Sequence, residues 1–457
     1  MNKARRRFLQ STAAVGAGLL ATGKILGTEQ EPQMPDMPRM KHAEHGKKPP
    51  ASEQAAAAEV PTPGIALPIV TPDVPNLPYE VENGVKVFRL IAEPVKRRIL
   101  PFKTLDAWGY NGSCPGPTIQ ANQGDHVRII FENHLPEATT IHWHGLEVPI
   151  GMDGTPYVSQ KPVPPSGRFV YEFTQHQEGT YFYHSHGAMQ EMIGMIGLFI
   201  LHPQKPYKPR IDHDFGIVLQ EWAVLPNRSV PNTANMEFNF LTFNGMCSPS
   251  ITPMIVRLGS RVRIRIVNLG MDHHPIHLHG NQFCVTGTEG GRAPEATWYP
   301  GNTVLVGVAQ ARDIEFEAKY PGDWMLHCHM PHHMMNSMSD LIGDRMITTA
   351  ATNERQAMNQ MMSLASEIGS EHSMAPIADN ASSVPGFPQD AFMEMPMDNL
   401  EVKPETYGLP ENWTAGMMGM MTLVRVLPDD RYDEILNMKK NANARPTQKP
   451  AMEHHRE

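Results

Sequence analysis

The chain has 457 residues, which is enough for two or three domains. Its net charge of −9 argues against nucleic acid as the main partner, and four cysteines are too few for a disulfide scaffold. Methionine (31) and proline (42) are abundant, while aromatic residues make up only 7%. The composition therefore indicates a multidomain protein that is unusually rich in thioether side chains.

A basic segment lies near the N-terminus, where residues 5–7 are three arginines followed by Phe8. An apolar run over 13–25, interrupted by Lys24, comes next and is too short to span a membrane. This order is typical of an export signal, and the arginines before Phe-Leu indicate the twin-arginine route for folded proteins. We therefore expect an export signal over 1–27 and a periplasmic or extracellular protein. A plain basic N-terminus is the alternative.

The next segment, residues 28–79, is rich in proline, alanine and methionine, so we expect a linker that builds no core. From about Glu80, short alternating apolar runs between turn residues predict an all-β sandwich or barrel. The first set of predicted strands covers 85–91, 118–121, 127–131, 169–173 and 197–201. The second set covers 215–220, 255–258, 262–267, 283–286, 303–308 and 314–316.

The two sets of strands are copies of each other. Four motifs recur in the same order: Asn111-Gly-Ser-Cys as Asn244-Gly-Met-Cys, Gly124-Asp-His-Val-Arg-Ile as Gly259-Ser-Arg-Val-Arg-Ile, Ile141-His-Trp-His-Gly as Ile276-His-Leu-His-Gly, and Gly179-Thr-Tyr-Phe-Tyr-His-Ser-His as Gly322-Asp-Trp-Met-Leu-His-Cys-His. Four ordered recurrences indicate an internally duplicated β domain.

Histidine pairs occupy the duplicated positions. They are His142-Trp-His144, His184-Ser-His186, His277-Leu-His279 (with His274 before it) and His327-Cys-His329 (with His333 after it). Two histidines at i and i+2 share one face of a strand, so each pair can bind metal there. Cys328 points to the opposite face, and thiolate, imidazole and a weak thioether form the ligand set of a blue-copper site.

On these motifs, the sequence resembles the multicopper oxidases over about residues 80–338, and again from about Met417. The resemblance implies two tandem cupredoxin-like Greek-key β-barrel domains and four coppers per subunit. The implied ligands are His274, Cys328 and His333 for type 1 copper, His142 and His277 for type 2 copper, and His144, His184, His186, His279, His327 and His329 for the type 3 pair. The last two groups would form a trinuclear cluster where O2 is reduced to water. A donor would dock near an exposed edge of His274, and its electron would pass through Cys328 to the flanking histidines.

The spacing narrows this resemblance. Only 88 residues separate His186 from His274 (274 − 186), too few for the middle domain of three-domain members. The chain is similar to the bacterial small laccases, which implies a homotrimer with clusters between domain one of one subunit and domain two of the next. Ser185 stands where the second domain has Cys328, so domain one should hold no type 1 copper. Near the cluster, Asp153 is the candidate to supply protons, and an ordinary turn aspartate is the alternative.

The position of the axial methionine leaves two candidates. Family spacing favours Met338, but domain one ends in Gly194-Met195-Ile-Gly-Leu-Phe-Ile, and a matching Gly419-Met420-Met-Thr-Leu-Val-Arg comes much later. We therefore expect Met420 to be axial. The implied domains are 80–205 and 206–338 plus 417–428, with a Met-rich, partly helical or irregular insert over 339–416 and a tail over 429–457.

The leading functional interpretation is a laccase-like oxidase whose donor is Cu(I), or a phenol or aromatic amine. The Met-rich insert resembles that of cuprous oxidases, and packing by flexible methionines is the alternative. Two other classes remain open: a copper nitrite reductase, and a copper-binding or electron-carrier protein without turnover. The sequence leaves open whether Cys114, Cys247 or Cys284 form a disulfide.

Overall fold

The structure is a computed structural model that describes residues 64–187, 189–225, 228–234, 236, 238–334 and 400–444. The predicted export signal, most of the Met-rich insert and Met338 lie outside these residues. The described chain consists of β-strands and short 3-10 turns, with one α-helix in the described part. The prediction of an all-β protein is confirmed.

The first half of the chain forms two sheets. Its strands are β1 (Tyr79–Glu82), β2 (Val85–Leu100), β3 (Lys103–Tyr110), β4 (Gly116–Asn122), β5 (His126–Asn133), β6 (Ile141–His144), β7 (Arg168–Thr174), β8 (Gly179–Ser185) and β9 (Ile196–His202). One sheet has the order β1-β2-β5-β7 with β3 on β2, and the other has the order β4-β9-β8-β6. Apolar side chains from both sheets meet in one core around Phe131, Trp143 and Phe199.

The second half repeats this plan. Its strands are β10 (His213–Trp222), β11 (Phe240–Phe243), β12 (Met254–Arg257), β13 (Arg261–Asn268), β14 (His274–Leu278), β15 (Phe283–Thr288), β16 (Gly291–Arg292), β17 (Tyr299–Gly301), β18 (Thr303–Val306), β19 (Gln310–Glu317), β20 (Gly322–Cys328) and β21 (Met421–Leu427). One sheet contains β11-β10-β13-β19-β15-β16 with β17 on β15, and the other has the order β12-β21-β20-β14-β18.

The last strand, β21, completes the second copy. It pairs in parallel with β12 and antiparallel with β20, just as β9 pairs in parallel with β4 and antiparallel with β8. The strand therefore belongs to the sheet that carries Cys328, although 92 residues separate Cys328 from Met420 (420 − 328). The order β4-β9-β8-β6 is thus repeated as β12-β21-β20-β14.

One segment differs from the sequence-based expectation. The last part of the predicted linker, residues 64–79, packs on the fold: Ile69 and Leu77 are buried in the cores, and Val70 forms a bridge with Phe215. The expected tail begins with a helix, α1 (Asp429–Ala444). It lies on β12 through Ile435, and Arg257 forms ion pairs of 2.6 Å with two of its aspartates, Asp429 and Asp433.

The end of the predicted insert, residues 400–416, is also anchored. Lys403 Nζ donates hydrogen bonds of 2.7 Å to Asp73 Oδ1 and to Thr252 Oγ1. Arg425 donates to the carbonyls of Glu405 and Tyr407. The chain that returns from the insert is therefore tied both to the N-terminal segment and to β21. No helix in the described ranges is long and apolar enough to cross a membrane.

A buried ion network joins the two halves. Along β13, Val262, Ile264 and Ile266 enter the second core, so strand alternation sends Arg263 and Arg265 to the other face. Both guanidinium groups pair with the buried carboxylate of Asp214. Two further residues, one from each half, complete the network. Arg265 Nη1 donates to Thr180 Oγ1 of the first half at 2.7 Å, and Thr180 Oγ1 donates to Asp313 Oδ1 of the second half at 2.6 Å.

In this network, the buried carboxylate of Asp214 is paired with two buried guanidinium groups. Burial alone would raise its pKa, but Arg263 and Arg265 lower it below the ordinary value. We expect Asp214→Asn to lower the free energy of unfolding by about 3–5 kcal/mol, because it leaves two buried guanidinium groups underpaired. Because the folded pKa is depressed, this contribution is present above about pH 4 and is lost as the pH falls through the folded value.

Urea unfolding at neutral pH would test this expectation. The matched control is Glu317→Gln, which removes an exposed carboxylate 3.5 Å from Lys319 and should change stability by less than about 1 kcal/mol. Equal effects of the two substitutions would show that the network does not hold the halves together.

Candidate metal centres

The strand β20 carries side chains to two different sites. Cys328 is fully buried in the second core, whereas the rings of His327 and His329 contact each other and that of His277 on the other face. The alternation predicted from His-Cys-His is therefore present. The antiparallel register sets Ile276 opposite Cys328 and His277 opposite His327, which brings the two histidine strands together.

The buried site contains His274, Cys328 and His333, whose ligand atoms all lie within 4.8 Å of one another. Cys328 Sγ is 3.7 Å from His274 Nδ1 and 3.4 Å from His333 Nδ1. The two Nδ1 atoms are 3.1 Å apart. All three side chains are at most 1% exposed, so the thiol and the two imidazole nitrogens converge on one dry point.

Met420 is adjacent to this site. It is fully buried in the same core as Cys328, and it directly precedes β21. Its carbonyl accepts a hydrogen bond of 3.0 Å from the Cys328 N–H, and its own N–H donates one of 3.0 Å to the His333 carbonyl. The backbone of Met420 is thus bonded to two of the three residues of the site. The axial role of Met420 stays a prediction.

Glu221, a residue that sequence reasoning missed, closes the outer edge of the site. It is buried, and its carboxylate forms a short hydrogen bond with His274 Nε2. The same carboxylate accepts hydrogen bonds from the backbone N–H groups of Met271 (2.7 Å) and Asp272 (3.3 Å). The expectation of an exposed His274 edge is therefore wrong, because His274 is 0% exposed and its Nε2 atom is hydrogen-bonded to Glu221.

The part of the buried site around His333 lies near exposed residues. His332 is exposed, and its ring centroid is 4.3 Å from that of His333. Asp272 Oδ2 is 3.7 Å from His333 Nε2, and its side chain is 43% exposed. Solvent therefore comes closest to the site on the His333 side.

The acid–base state of the buried site fits metal binding. Burial raises the pKa of the Cys328 thiol to about 12. Burial, with the neighbouring His274, lowers the pKa of His333 to about 3, which keeps this imidazole neutral. A metal that binds here must displace the thiol proton but meets a His333 imidazole that is already neutral.

A second group of histidines lies at the end of the first half. The ligand atoms of His142, His144 and His184 lie within 4.8 Å of one another, and the exposed ring of His186 lies beside those of His142 and His184. His142 Nδ1 is 2.8 Å from the Asp153 carbonyl, and His184 Nδ1 is 2.8 Å from the Ser185 carbonyl. When Nδ1 donates to a carbonyl, Nε2 is left free to bind metal.

A third group, at the end of the second half, mirrors the second one. The ligand atoms of His277, His279 and His327 lie within 4.8 Å of one another, and the ring of the exposed His329 contacts two of these rings. His277 Nδ1 is 2.6 Å from the Asn302 carbonyl, and His327 Nδ1 is 2.9 Å from the Cys328 carbonyl. This last contact joins the third group to the buried site through a single residue.

The second and third groups are separate within one chain. In the described part of the chain, every ring contact between these eight histidines stays inside its own group, either around His142 or around His277. Each group also has one exposed member, His186 or His329. Each therefore resembles an open half of a site rather than a closed centre.

Carboxylates approach the first half-site. Asp153 Oδ1 is 3.5 Å from His142 Nδ1, and Asp153 Oδ2 accepts a hydrogen bond of 2.5 Å from Thr155 Oγ1. Asp153 also lines an open cleft of about 620 Å³ together with Glu147 and other residues. Its role in proton supply stays a prediction. Glu191, which sequence reasoning missed, lies 3.0 Å from His184 Nδ1.

The cysteines other than Cys328 take no part in these groups. All four cysteines are free thiols, and Cys114 and Cys247 are buried in one apolar cluster. Burial raises the pKa of both of these thiols. They are therefore protonated core residues at neutral pH.

Comparison with known proteins agrees with this geometry. Two family models, both described as multicopper oxidase, match residues 93–206 and 224–341, which together are just over half of the chain. Copper resistance protein A from Pseudomonas syringae pv. tomato is 35% identical over 30% of this chain and 23% of its own length. Laccase-1 from Cryptococcus neoformans var. neoformans is 44% identical over 37% of this chain and 33% of its own length.

Solved structures show the same fold. The blue copper oxidase from Nitrosomonas europaea is 27% identical and matches 55% of this chain and 81% of its own, with a TM-score of 0.51. The multicopper oxidase mgLAC is 28% identical and matches 55% of this chain and 82% of its own, also with a TM-score of 0.51. The two β halves are therefore cupredoxin-like domains. The chain matches about a fifth of the length of the copper resistance proteins that it resembles.

The contact between Glu221 and His274 predicts a tunable metal potential. In Glu221→Gln, a hydrogen-bond acceptor remains beside His274, but a buried negative charge is removed. The reduced, less positive metal should then be favoured by a few kcal/mol, which corresponds to a rise in one-electron potential on the order of 100 mV.

Redox titration of the visible absorption band of the copper-loaded protein measures this shift. Asp272→Asn is the matched control, because its carboxylate is partly exposed and lies beside His333, so its effect should be smaller. A Glu221→Gln protein with the wild-type potential would show that the carboxylate does not act on the site.

Proposed function

Because the chain belongs to the multicopper oxidase family, we propose that it couples four one-electron oxidations of a donor to the reduction of O2 to water. The observation that carries the proposal is the combination of a closed Cys-His-His site with two open histidine groups, one of them joined to Cys328 by a single residue. Bound copper would supply the one-electron redox chemistry and the site of O2 reduction.

Three sets of residues would hold four coppers per subunit. His274, Cys328, His333 and Met420 would hold type 1 copper, with Met338 as the alternative axial ligand. His142 and His277 would hold type 2 copper, and His144, His184, His186, His279, His327 and His329 would hold the type 3 pair. The burial of the first set favours it as the electron-entry centre, since exclusion of water limits reorganisation.

The chain itself offers a short path between the sites. Cys328 is bonded covalently to His327 and is followed by His329, so few bonds separate the thiolate from either imidazole. The hydrogen bond between His327 Nδ1 and the Cys328 carbonyl adds a second connection of 2.9 Å. An electron that arrives at Cys328 therefore has a through-bond route to the third histidine group.

We propose a homotrimer in which the first-domain histidines of one subunit face the second-domain histidines of the next. The support is the separation of the two groups within one chain and the exposure of His186 and His329. Exposed apolar side chains in the chain segment around Asp153, namely Ile150, Tyr157 and Val158, would be covered in such an interface. Head-to-tail contacts of this kind close into rings when the rotation permits.

The donor is proposed to be Cu(I), a phenol or an aromatic amine, which would approach from the His333 side. The surface on this side carries the exposed side chains of His332 and Met271 and the carboxylate of Asp272. Thioether and imidazole ligands suit Cu(I). The name of the Pseudomonas syringae relative refers to copper resistance, which favours Cu(I) over an organic donor. Export by the twin-arginine route remains part of this proposal.

The role of Cys328 can be tested directly. Cys328→Ser should abolish the intense visible thiolate-to-copper absorption, because a hydroxyl at this position gives no such charge transfer. Copper in the histidine groups should be retained. Optical and electron paramagnetic resonance spectra with copper analysis distinguish the two centres, and a blue band that survives in the variant would refute the assignment.

The trimer can be tested by complementation. His144→Ala should inactivate the first-domain half-site and His279→Ala the second-domain half-site, so each variant alone should be inactive. Unfolding and refolding an equal mixture should restore activity at about a quarter of the interfaces, by random assortment in a cyclic trimer. Each variant refolded alone is the control. Mixing that restores no activity, or a monomeric mass with full activity, would contradict intersubunit clusters.

A further inference from the structure

The first domain retains every position of the buried metal site, although its ligands have been replaced. The offset of 135 residues between His142 and His277 also relates Thr139 to His274. The offset of 143 residues between His184 and His327 relates Ser185 to Cys328 and Gln190 to His333. Thr139, Ser185 and Gln190 of the first domain therefore occupy the positions that His274, Cys328 and His333 occupy in the second domain.

The methionines before the last strand of each domain correspond as well. Met195 directly precedes β9 as Met420 directly precedes β21, and both are fully buried. The Ser185 N–H donates to the Met195 carbonyl at 3.1 Å, and the Cys328 N–H donates to the Met420 carbonyl at 3.0 Å. The methionine is thus kept in a domain where no thiolate accompanies it.

Hydrogen bonds in the first domain follow the contacts of the metal site. Ser185 O–H donates to Gln190 Oε1 at 2.6 Å, where the second domain has Cys328 Sγ 3.4 Å from His333 Nδ1. Ser185 Oγ is 2.9 Å from Thr139 Oγ1, where Cys328 Sγ is 3.7 Å from His274 Nδ1. Ser185 gives its own proton to Gln190, and Thr139 Oγ1 lies within hydrogen-bond distance of both Ser185 Oγ and the Thr140 carbonyl (3.4 Å).

The outer contact is repeated too. Glu137 precedes Thr139 by the same two residues by which Asp272 precedes His274. Gln190 Nε2 donates to Glu137 Oε2 at 3.3 Å, where His333 Nε2 is 3.7 Å from Asp272 Oδ2. Gln190 Nε2 also donates to the Ala138 carbonyl at 3.1 Å, so both ends of its amide are bonded.

We propose that Thr139, Ser185, Gln190 and Glu137 form a metal-free clamp that takes over the structural role of the type 1 centre and positions the first-domain histidines. Ser185 lies between His184 and His186, and its hydroxyl also accepts a hydrogen bond of 3.0 Å from the Gly187 N–H. In the second domain, metal bonds to Cys328 would fix the flanking His327 and His329. In the first domain, hydrogen bonds join the buried Thr139, Ser185 and Gln190, and the exposed Glu137 lies at the outer end. These bonds fix the corresponding strand end, because a paired network of this kind is rigid.

The clamp rests on the proposed function of His184 and His186 as cluster ligands, but it makes a separate prediction. Ser185→Ala removes the central hydroxyl and leaves Thr139 and Gln190 without their partner. The affinity of the first-domain half-site for copper should fall by roughly 10–100-fold, as for loss of other residues that orient metal ligands. Ser185→Thr, which keeps a hydroxyl, should restore it.

Copper per chain, the type 2 paramagnetic signal and the type 1 absorption of the same sample measure the effect. The type 1 band should be unchanged, because its ligands lie in the other domain. The matched control is Thr118→Val, which breaks an equally buried hydroxyl pair with Thr71 (2.8 Å) in the same domain but away from the histidines. This control should keep all copper signals.

The outcomes separate the clamp from the proposed function. Loss of the type 2 signal in Ser185→Ala with an intact type 1 band, reversed in Ser185→Thr, supports the clamp. Full copper content with wild-type spectra in Ser185→Ala overturns it and leaves the oxidase intact. If Ser185→Ala does not fold, Gln190→Met, of similar size, removes the three hydrogen bonds of the Gln190 side chain. Unchanged cluster spectra in that variant overturn the clamp. Failure of the wild-type protein to show type 2 copper would refute the proposed function instead.

Discussion

The alternation of side chains along β20 is the constraint on which both kinds of site depend. One strand sends Cys328 into a dry apolar core and turns His327 and His329 to the opposite face. Pairing with β14 and β21 then adds a histidine from one neighbour and a buried methionine from the other. A shift of one residue in this register would exchange the core and the open face, and it would separate every ligand set at once.

The two duplicated domains share the same strand arrangement but have different side chains in the buried pocket. In the second domain, the buried pocket contains a thiol and two imidazoles, those of Cys328, His274 and His333. In the first domain, a serine, a threonine and a glutamine fill the corresponding pocket with bonds among themselves. The open histidine groups are alike in both domains. The two domains therefore differ at the buried pocket, where the first has Thr139, Ser185 and Gln190 and the second has His274, Cys328 and His333.

The ion network around Asp214 gives the two domains a fixed relation. Arg265, Asp214 and Asp313 come from the second half, and Thr180 comes from β8 beside the first-domain histidines. Buried ion pairs contribute little net stability compared with apolar packing, but any other arrangement would leave a charge buried without a partner. The network therefore specifies how the two domains meet through the contact of Thr180 with Arg265 and Asp313.

The sequence by itself determined the fold class, the duplication and the candidate ligands. Strand periodicity and the repeated motifs are local signals, so β4, β5, β7, β9, β10 and β13 could be read from short windows, and the His-X-His spacing places two imidazoles on one face without further information. The equal endings around Met195 and Met420 even indicated which distant strand returns to the second sheet.

Only the tertiary structure decided which residues bury the candidate ligands and which residues form hydrogen bonds with them. Glu221 and Glu191 have no motif, because they act through contacts with His274 and His184 across 53 and 7 residues of sequence (274 − 221, 191 − 184). The burial of the His274 edge, the packing of residues 64–79 and the role of Lys403 likewise depend on chain segments that meet only after folding. Spacing in sequence predicts which side chains share a strand face, but the neighbours that cap, bury or pair those side chains are set by long-range packing, which leaves no periodic trace.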